Sequence, residues 1–198
     1  VGQEVLHISS HPLHKWIQEV AETFQTASKA KEIEITYDFD DSIQYIAYDD
    51  TKCRVVLSNL IMNALKYSPN QTRIVIKTIR TNESIQVHVQ DQGIGLDNVD
   101  IKKLFTRFYQ GKHNEGGSGI GLSYAKMLID LHGGRMGAFN NEDRGATFFY
   151  EIPANLQEQE VSCPQHSYLN ELLSSPEEEE KIESGSFSLQ GYSLLIVE

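Results

Sequence analysis

Two asparagines and a lysine share one narrow stripe of a strongly apolar segment, Val55-Val56-Leu57-Ser58-Asn59-Leu60-Ile61-Met62-Asn63-Ala64-Leu65-Lys66-Tyr67. Stepped at about 100° per residue, Leu57, Leu60, Ile61, Ala64 and Leu65 fill one broad face. Asn59, Asn63 and Lys66 fall opposite, with Tyr67 at the edge of their stripe. A solvated stripe on a half-exposed helix would give this pattern. So would a ligand groove, in which amides inside a covered helix find partners for their polar atoms. An Asn carbonyl oxygen is a hard ligand suited to Mg²⁺. A lysine one turn later can meet phosphate charge, and a tyrosine offers a flat face to a base.

A second candidate lies at the end of an alternating run. In Ser84–Asp91 the apolar residues are Ile85, Val87 and Val89, and Asp91 is in phase with them. It therefore points toward the layer where helices pack, while Gln86, His88 and Gln90 take the other face. The glycines of Gln92-Gly93-Ile94-Gly95 let backbone come close to a ligand. An Asp that caps its own turn fits this pattern. An inward acceptor for an adenine amino group fits it too, and would discriminate by hydrogen-bond sense.

The third candidate is the glycine run Gly116-Gly117-Ser118-Gly119-Ile120-Gly121-Leu122, which opens a helix. Amides at such a terminus can hold phosphate oxygens. The polar stretch Tyr109–Glu115 before it is no strand, so a dinucleotide-binding βαβ unit is excluded. A GxxxxGK[ST] loop is also absent.

These groups need elements to carry them. We expect a strand over residues 3–8 and an amphipathic helix over 12–30, with Leu13, Trp16, Ile17, Val20 and Phe24 at helical spacing. Ile33–Tyr37 and Gln44–Tyr48 read as a pair of strands joined across Asp38–Ser42. Asp49 or Asp50 caps a helix over 50–67, which Ser68-Pro69-Asn70 ends. Arg73–Arg80 and Ser84–Asp91 form a hairpin, Ile120–His132 a helix, and Arg135–Phe139 with Ala146–Ile152 the last two strands. The polar turn Asn140–Gly145 separates those two. The order is α+β: a mixed, mostly antiparallel sheet with helices on one face, making two layers.

The 198 residues suit one domain of ordinary size with extra chain. Pro153 closes that domain, at 1–153. Residues 154–190 read as a flexible acidic linker, and 191–198 turn apolar again. Ala154–Glu198 carry nine Glu and one Lys, which is −8 of the net −11. Nothing suggests the broad basic face that grips nucleic acid. No apolar run reaches the ~20 residues of a membrane span, and no signal segment opens the chain. Cys53 and Cys163 are expected to be free thiols.

Taken in order, these segments resemble the catalytic domain of sensor histidine kinases. The Asn helix is similar to the N box, Asp91–Gly95 to the G1 box, Leu104-Phe105-Thr106-Arg107-Phe108-Tyr109 to the F box, Gly117–Leu122 to the G2 box, and Gly145-Ala146-Thr147-Phe148 to the final glycine-threonine strand. The resemblance covers residues 1–153 and implies the Bergerat ATP-binding fold. It implies ATP and Mg²⁺ as ligands, with Asn63 on Mg²⁺ and phosphates, Asn59 supporting, Lys66 near the phosphates and Tyr67 on the base. It assigns Asp91 to the adenine amino group and places Gly93, Gly95, Leu122 and Thr147 around the pocket. Gly117, Ser118, Gly119 and Gly121 would hold phosphates, and Phe105 and Phe108 would anchor a lid over about 106–118. Asn63 and Lys66 would carry phosphoryl transfer.

Superfamily members that hydrolyse ATP place a glutamate one turn before the Mg²⁺ asparagine. Here that position is Asn59, an amide that takes no proton from water. The resemblance thus implies a kinase whose acceptor histidine stands on a separate dimerisation and phosphoacceptor module. Gln110 replaces the arginine many members carry after the F box, which leaves Arg107 or Lys112 to meet the γ-phosphate. His7, His11 and His14 lack the phosphoacceptor spacing and read as exposed polar residues. Tyr192–Glu198 resembles the first strand of a receiver, which implies a hybrid kinase. We expect this fragment to be monomeric and outside the membrane, and the full-length protein to be a homodimer whose catalytic part lies in the cytoplasm.

Overall fold

The computed structural model describes residues 5–97, 99–109, 119–157 and 159–162, the last four for their backbone alone. The elements are β1 (Val5–Pro12), α1 (Leu13–Glu22), α2 (Gln25–Ala30), β2 (Glu34–Asp38), β3 (Tyr45–Tyr48), α3 (Asp50–Tyr67), β4 (Arg73–Arg80), β5 (Ser84–Gln90), α4 (Gly121–Leu131), β6 (Arg135–Asn140), β7 (Ala146–Pro153) and β8 (Gln159–Ser162).

Alternation builds the main sheet, in the order β2-β4-β5-β7-β6. Ile74 and Ile76 of β4, Ile85, Val87 and Val89 of β5, and Phe148, Tyr150 and Ile152 of β7 all point to one face and are buried. Each such side chain contributes about 1.5–3 kcal/mol relative to leaving it in water. Helices α3 and α4 lie on that face, and α1 packs on α3. Every strand pair in this sheet is antiparallel except β2 with β4. The two-layer α+β expectation therefore holds.

Four local expectations change. Ile33–Tyr37 and Gln44–Tyr48 do not pair with each other. β2 runs parallel to β4, and β3 pairs with β1. The predicted helix over 12–30 is two helices, broken where the Thr23 hydroxyl donates to Val20 O at 2.7 Å. The first strand extends to Pro12. Finally, residues 159–162, read as linker, form β8 antiparallel to β1, completing a small sheet β3-β1-β8. Residues 163–198, including the receiver-like Tyr192–Glu198, lie outside the described residues.

The start of α3 is tied down three ways. Asp49 caps it through Lys52 N at 2.9 Å, and the other Asp49 oxygen accepts from His7 N of β1 at 3.0 Å. The Asp49 amide donates to Nε2 of buried His132, just past α4, at 3.2 Å. The helix that carries the Asn stripe is thus fixed to β1 and α4 at its origin.

Candidate nucleotide site

The apolar face of α3 is as the sequence reads: Leu57, Leu60, Ile61, Ala64 and Leu65 are buried, and Asn59, Asn63, Lys66 and Tyr67 are half-buried. The two asparagines differ. Asn59 donates its amide to Val55 O at 2.9 Å. The Asn63 side chain makes no hydrogen bond with the described residues, so its amide is available. Lys66 Nζ stands 5.0 Å from the centre of the Tyr67 ring. From residue 59 to residue 67 the stripe runs about 12 Å, room for phosphates at one end and a base at the other.

Each end of the stripe meets a glycine. A Cβ on Gly93 would lie 2.6 Å from Tyr67 O, so only glycine lets the turn after β5 approach the end of α3. A Cβ on Gly121 would collide with Asn59 Oδ1, so with any larger residue there the Asn59 side chain must shift for the start of α4 to approach the middle of α3. Gly93 of the second candidate group and Gly121 of the third are thereby brought to the first.

Asp91 is 4 % exposed. Its Oδ1 accepts from Gly93 N at 2.8 Å and from Ala146 N at 3.1 Å. Its Oδ2 accepts nothing from the described residues. The carboxylate thus caps its own turn with one oxygen and keeps the other open, so both readings of this residue have a counterpart. Burial pushes its pKa above the ordinary carboxylate value, and the Gly93 and Ala146 amides partly oppose that.

Thr147 sits beside this turn, buried, opposite Gln90 in the β5–β7 register. Gly95 lies against Asn140, and Leu122 is half-buried against the core. Gly119 accepts at its carbonyl from Phe108 N at 3.1 Å, and both residues have left-handed backbone, φ 67° and 59°. That bond joins residue 108 to residue 119 across the stretch expected to form a lid. Of the two expected lid anchors, Phe105 packs on the core and Phe108 is 52 % exposed. Gly117 and Ser118 lie outside the described residues, as do Gln110 and Lys112.

His88 is not simply exposed. It is half-buried and stacks on Phe149 with ring centres 5.2 Å apart. His11 and His14 are also half-buried, His14 stacked on Phe39 at 4.3 Å, while His7 is exposed.

Two neighbours went unread in the sequence. Asn140 Oδ1 accepts from Leu96 N at 2.6 Å and its amide donates to Asp97 at 2.9 Å, clasping the glycine turn. Asn141 donates to Asp91 O at 2.8 Å and to Arg144 O at 3.0 Å. The signal was the Asn-Asn pair opening the last turn, which reads locally as turn chemistry alone. A cavity of about 280 Å³ opens at this end, between Lys31, the end of α3, the Ser68–Asn70 turn and Ile94. A larger one, about 640 Å³, lies at the β4–β5 turn beside Gly133–Arg135, away from these groups.

A two-layer sheet with an asparagine helix, an inward aspartate and a glycine-opened helix converging defines an ATP-binding domain of the Bergerat class. Residues 48–156 match the model of the Histidine kinase-, DNA gyrase B-, and HSP90-like ATPase family. The chain is 34% identical over 132 residues to the sensor histidine kinase WalK of Bacillus subtilis, covering 64% of this chain and 22% of that protein. It is 30% identical over 139 residues to the adaptive-response sensory kinase SasA of Synechocystis, covering 69% and 36%. Both relatives are much longer than the stretch they share with it. The solved catalytic domain of histidine kinase ThkA superposes with a TM-score of 0.67 at 27% identity, covering 74% of this chain and 97% of that one. ThkA has also been solved in complex with the response regulator protein TrrA, matching at 25% identity and a TM-score of 0.66 over 76% of this chain and 42% of ThkA. The chain belongs to that ATPase family and carries the ATP-binding catalytic domain of a sensor histidine kinase. Among the described residues no helix is long and apolar enough to cross a membrane.

Proposed function

We propose that this domain donates the γ-phosphoryl group of Mg·ATP to a histidine on a separate helical module of the same full-length protein. The observation that carries the reading is the unengaged amide of Asn63, placed between the two glycine approaches that bring Gly121 and Gly93 to α3. The open Asp91 Oδ2 suits the adenine amino group, which donates; guanine presents an acceptor there and is rejected. Tyr67 flanks the base. Lys66 and the first amides of α4 face the phosphates, and Gly93, Gly95, Leu122 and Thr147 shape the pocket. Arg107 or Lys112 supplies the cation for the γ-phosphate that Gln110 does not.

The donor set fits Mg²⁺ through the Asn63 carbonyl oxygen. Bound there, Mg²⁺ would neutralise charge on the β- and γ-phosphates. The protein's own part is positioning: base at one end of α3, triphosphate at the other, water kept out by the lid. The bond from the γ-phosphorus to its bridging oxygen breaks, an imidazole nitrogen of the acceptor takes the phosphoryl, and ADP leaves. Asn59 cannot take a proton from water, and its amide is committed to Val55, which favours transfer over hydrolysis.

The acceptor module, a homodimeric full-length protein in the cytoplasmic part of a membrane-bound sensor, and a receiver after residue 191 belong to the same reading. ThkA's complex with a response regulator supports the last kind of partner. The test mixes this chain with its helical module and labelled ATP. Acid-labile phosphohistidine that is lost in Asn63→Ala supports the reading. ATP binding without label sinks it, and steady phosphate release without the module would reassign the domain as an ATPase.

A further inference from the structure

Helix α3 ends without the usual device. Ser68 leaves the helix extended, with ψ 138°, and donates its amide to Ala64 O. Pro69 follows and has no amide to give. The last turn is left with carbonyls that a following glycine would ordinarily help satisfy. Water does not serve them freely, because Leu65 is 6 % and Ser68 3 % exposed. Lys31, just past α2, supplies the donors. Its Nζ donates to Leu65 O at 2.7 Å, Ser68 O at 3.0 Å and Lys66 O at 3.3 Å. An ammonium has three protons, and here each faces a carbonyl. The backbone reinforces the contact, since Lys31 O accepts from Gln71 N at 3.0 Å. A cation at this end also suits the helix dipole.

We infer that Lys31 is a positioning residue for the nucleotide site, acting through the backbone of Lys66 and Tyr67. The inference rests on the site proposed above. Lys31 grips the turn whose next carbonyl, Tyr67 O, is the one pressed against Gly93 beside Asp91. It also walls the 280 Å³ cavity that Lys66, Tyr67 and Ile94 line. Without it the last turn of α3 frays, Lys66 and Tyr67 leave their places, and the seat of the Asp91 turn loosens. Nothing about the residue's own position in the sequence announces this role, because its partners lie more than thirty residues away.

The experiment compares this chain with Lys31→Met, which keeps the stem and removes the donors. A second variant, Lys31→Arg, keeps the charge but presents a planar fork that cannot converge on three carbonyls. The control is Glu32→Ala, which breaks the neighbouring Glu32–Gln71 contact of 2.9 Å and leaves α3 alone. Affinity for a fluorescent ATP analogue is measured at a temperature where circular dichroism shows all four proteins folded. Lys31→Met should bind on the order of tenfold more weakly, Lys31→Arg should recover part of the loss, and Glu32→Ala should bind as the parent does. The amide NMR signals of Lys66 and Tyr67 should move in Lys31→Met and stay in Glu32→Ala. A folded Lys31→Met that binds as the parent does overturns the inference. Equal loss in Glu32→Ala overturns it too, by showing general softening of the corner. If Lys31→Met does not fold, Lys31→Arg decides between the same outcomes. Failure of the parent chain to bind the analogue would instead bring down the site reading, a result distinct from either.

Discussion

The side-chain amide of Asn141 donates to the backbone carbonyl of Asp91 at 2.8 Å, while its oxygen accepts from the Thr147 hydroxyl at 2.6 Å. One residue of the β6–β7 turn thus holds both sides of the adenine end of the proposed pocket. Asn141→Ala leaves a buried hydroxyl and a carbonyl without their partner. We expect a stability loss of about 1–3 kcal/mol, read by urea unfolding, together with weaker ATP binding. Unchanged affinity would show that the Asp91 turn holds itself.

Asp91→Asn separates the two oxygens of that carboxylate. An asparagine oxygen can still accept from Gly93 and Ala146, so the fold should survive. The group in place of Oδ2 becomes a donor and faces the donating amine of adenine. ATP-analogue affinity should fall at least about tenfold while the unfolding midpoint stays close to the parent's. An affinity within twofold of the parent would remove Asp91 from adenine recognition.

Gly93→Ala and Gly121→Ala test the seating of α3. Each added methyl meets a polar atom of that helix, Tyr67 O in one case and Asn59 Oδ1 in the other. Both variants should lose nucleotide affinity. Gly93→Ala should affect an adenosine analogue as strongly as ATP, whereas Gly121→Ala should weaken ATP more than adenosine. Titration calorimetry with the two ligands would reverse the assignment of the stripe's ends if the pattern came out the other way round.

The pH dependence at Asp91 has a defined sign. Burial raises its pKa above the 3.8 of a free carboxyl, so the folded chain holds this proton more tightly than the unfolded one. Its contribution to stability is greatest below the unfolded value and is lost as pH rises through the folded value. Nucleotide binding runs the opposite way, because only the ionised group accepts on both oxygens. Affinity should fall as pH drops through the raised pKa, and Asp91→Asn should flatten that limb in an analogue titration.

His132 carries the opposite dependence. Burial, with a smaller contribution from Lys52, lowers its pKa below 6.5 against the opposing bond to Leu128 and the Asp49 charge. The buried Cys53 thiol lies 3.7 Å from the ring. The neutral ring accepts from the Asp49 amide, so its contribution to stability is present above 6.5 and is lost as pH falls through the folded value. His14 and His88 shift in the same direction through their own burial. His132→Phe should cost about 1–3 kcal/mol at neutral pH and reduce the slope of stability against pH below 6.5. An unchanged slope would place the acid sensitivity with the other two.

What the sequence made legible was whatever is local. Helix α3 announces itself through its Asp49 cap, its apolar face and the Ser68-Pro69 stop, and the inward phase of Asp91 follows from the alternation of β5. The pairing of β2 was not legible. Two short strands close in sequence read as a hairpin, yet β2 finds β4 across the whole of β3 and α3, and nothing local encodes that register. β8 has a single apolar residue in Gln-Glu-Val-Ser, so its pairing with β1 left no trace in composition. Lys31 and Asn141 were missed for a related reason. Each is a polar residue in polar surroundings, and its role arises only when remote carbonyls converge on it.

The bond between Phe108 and Gly119 has a consequence for how such domains diversify. It joins the two ends of the intervening stretch at one point, so residues inserted or exchanged within that stretch leave the register of α4 untouched. Closing a longer loop costs only about 0.6 kcal/mol per doubling of its length. The residues between them can therefore be exchanged as a cassette while α4 and the sheet beneath keep their places.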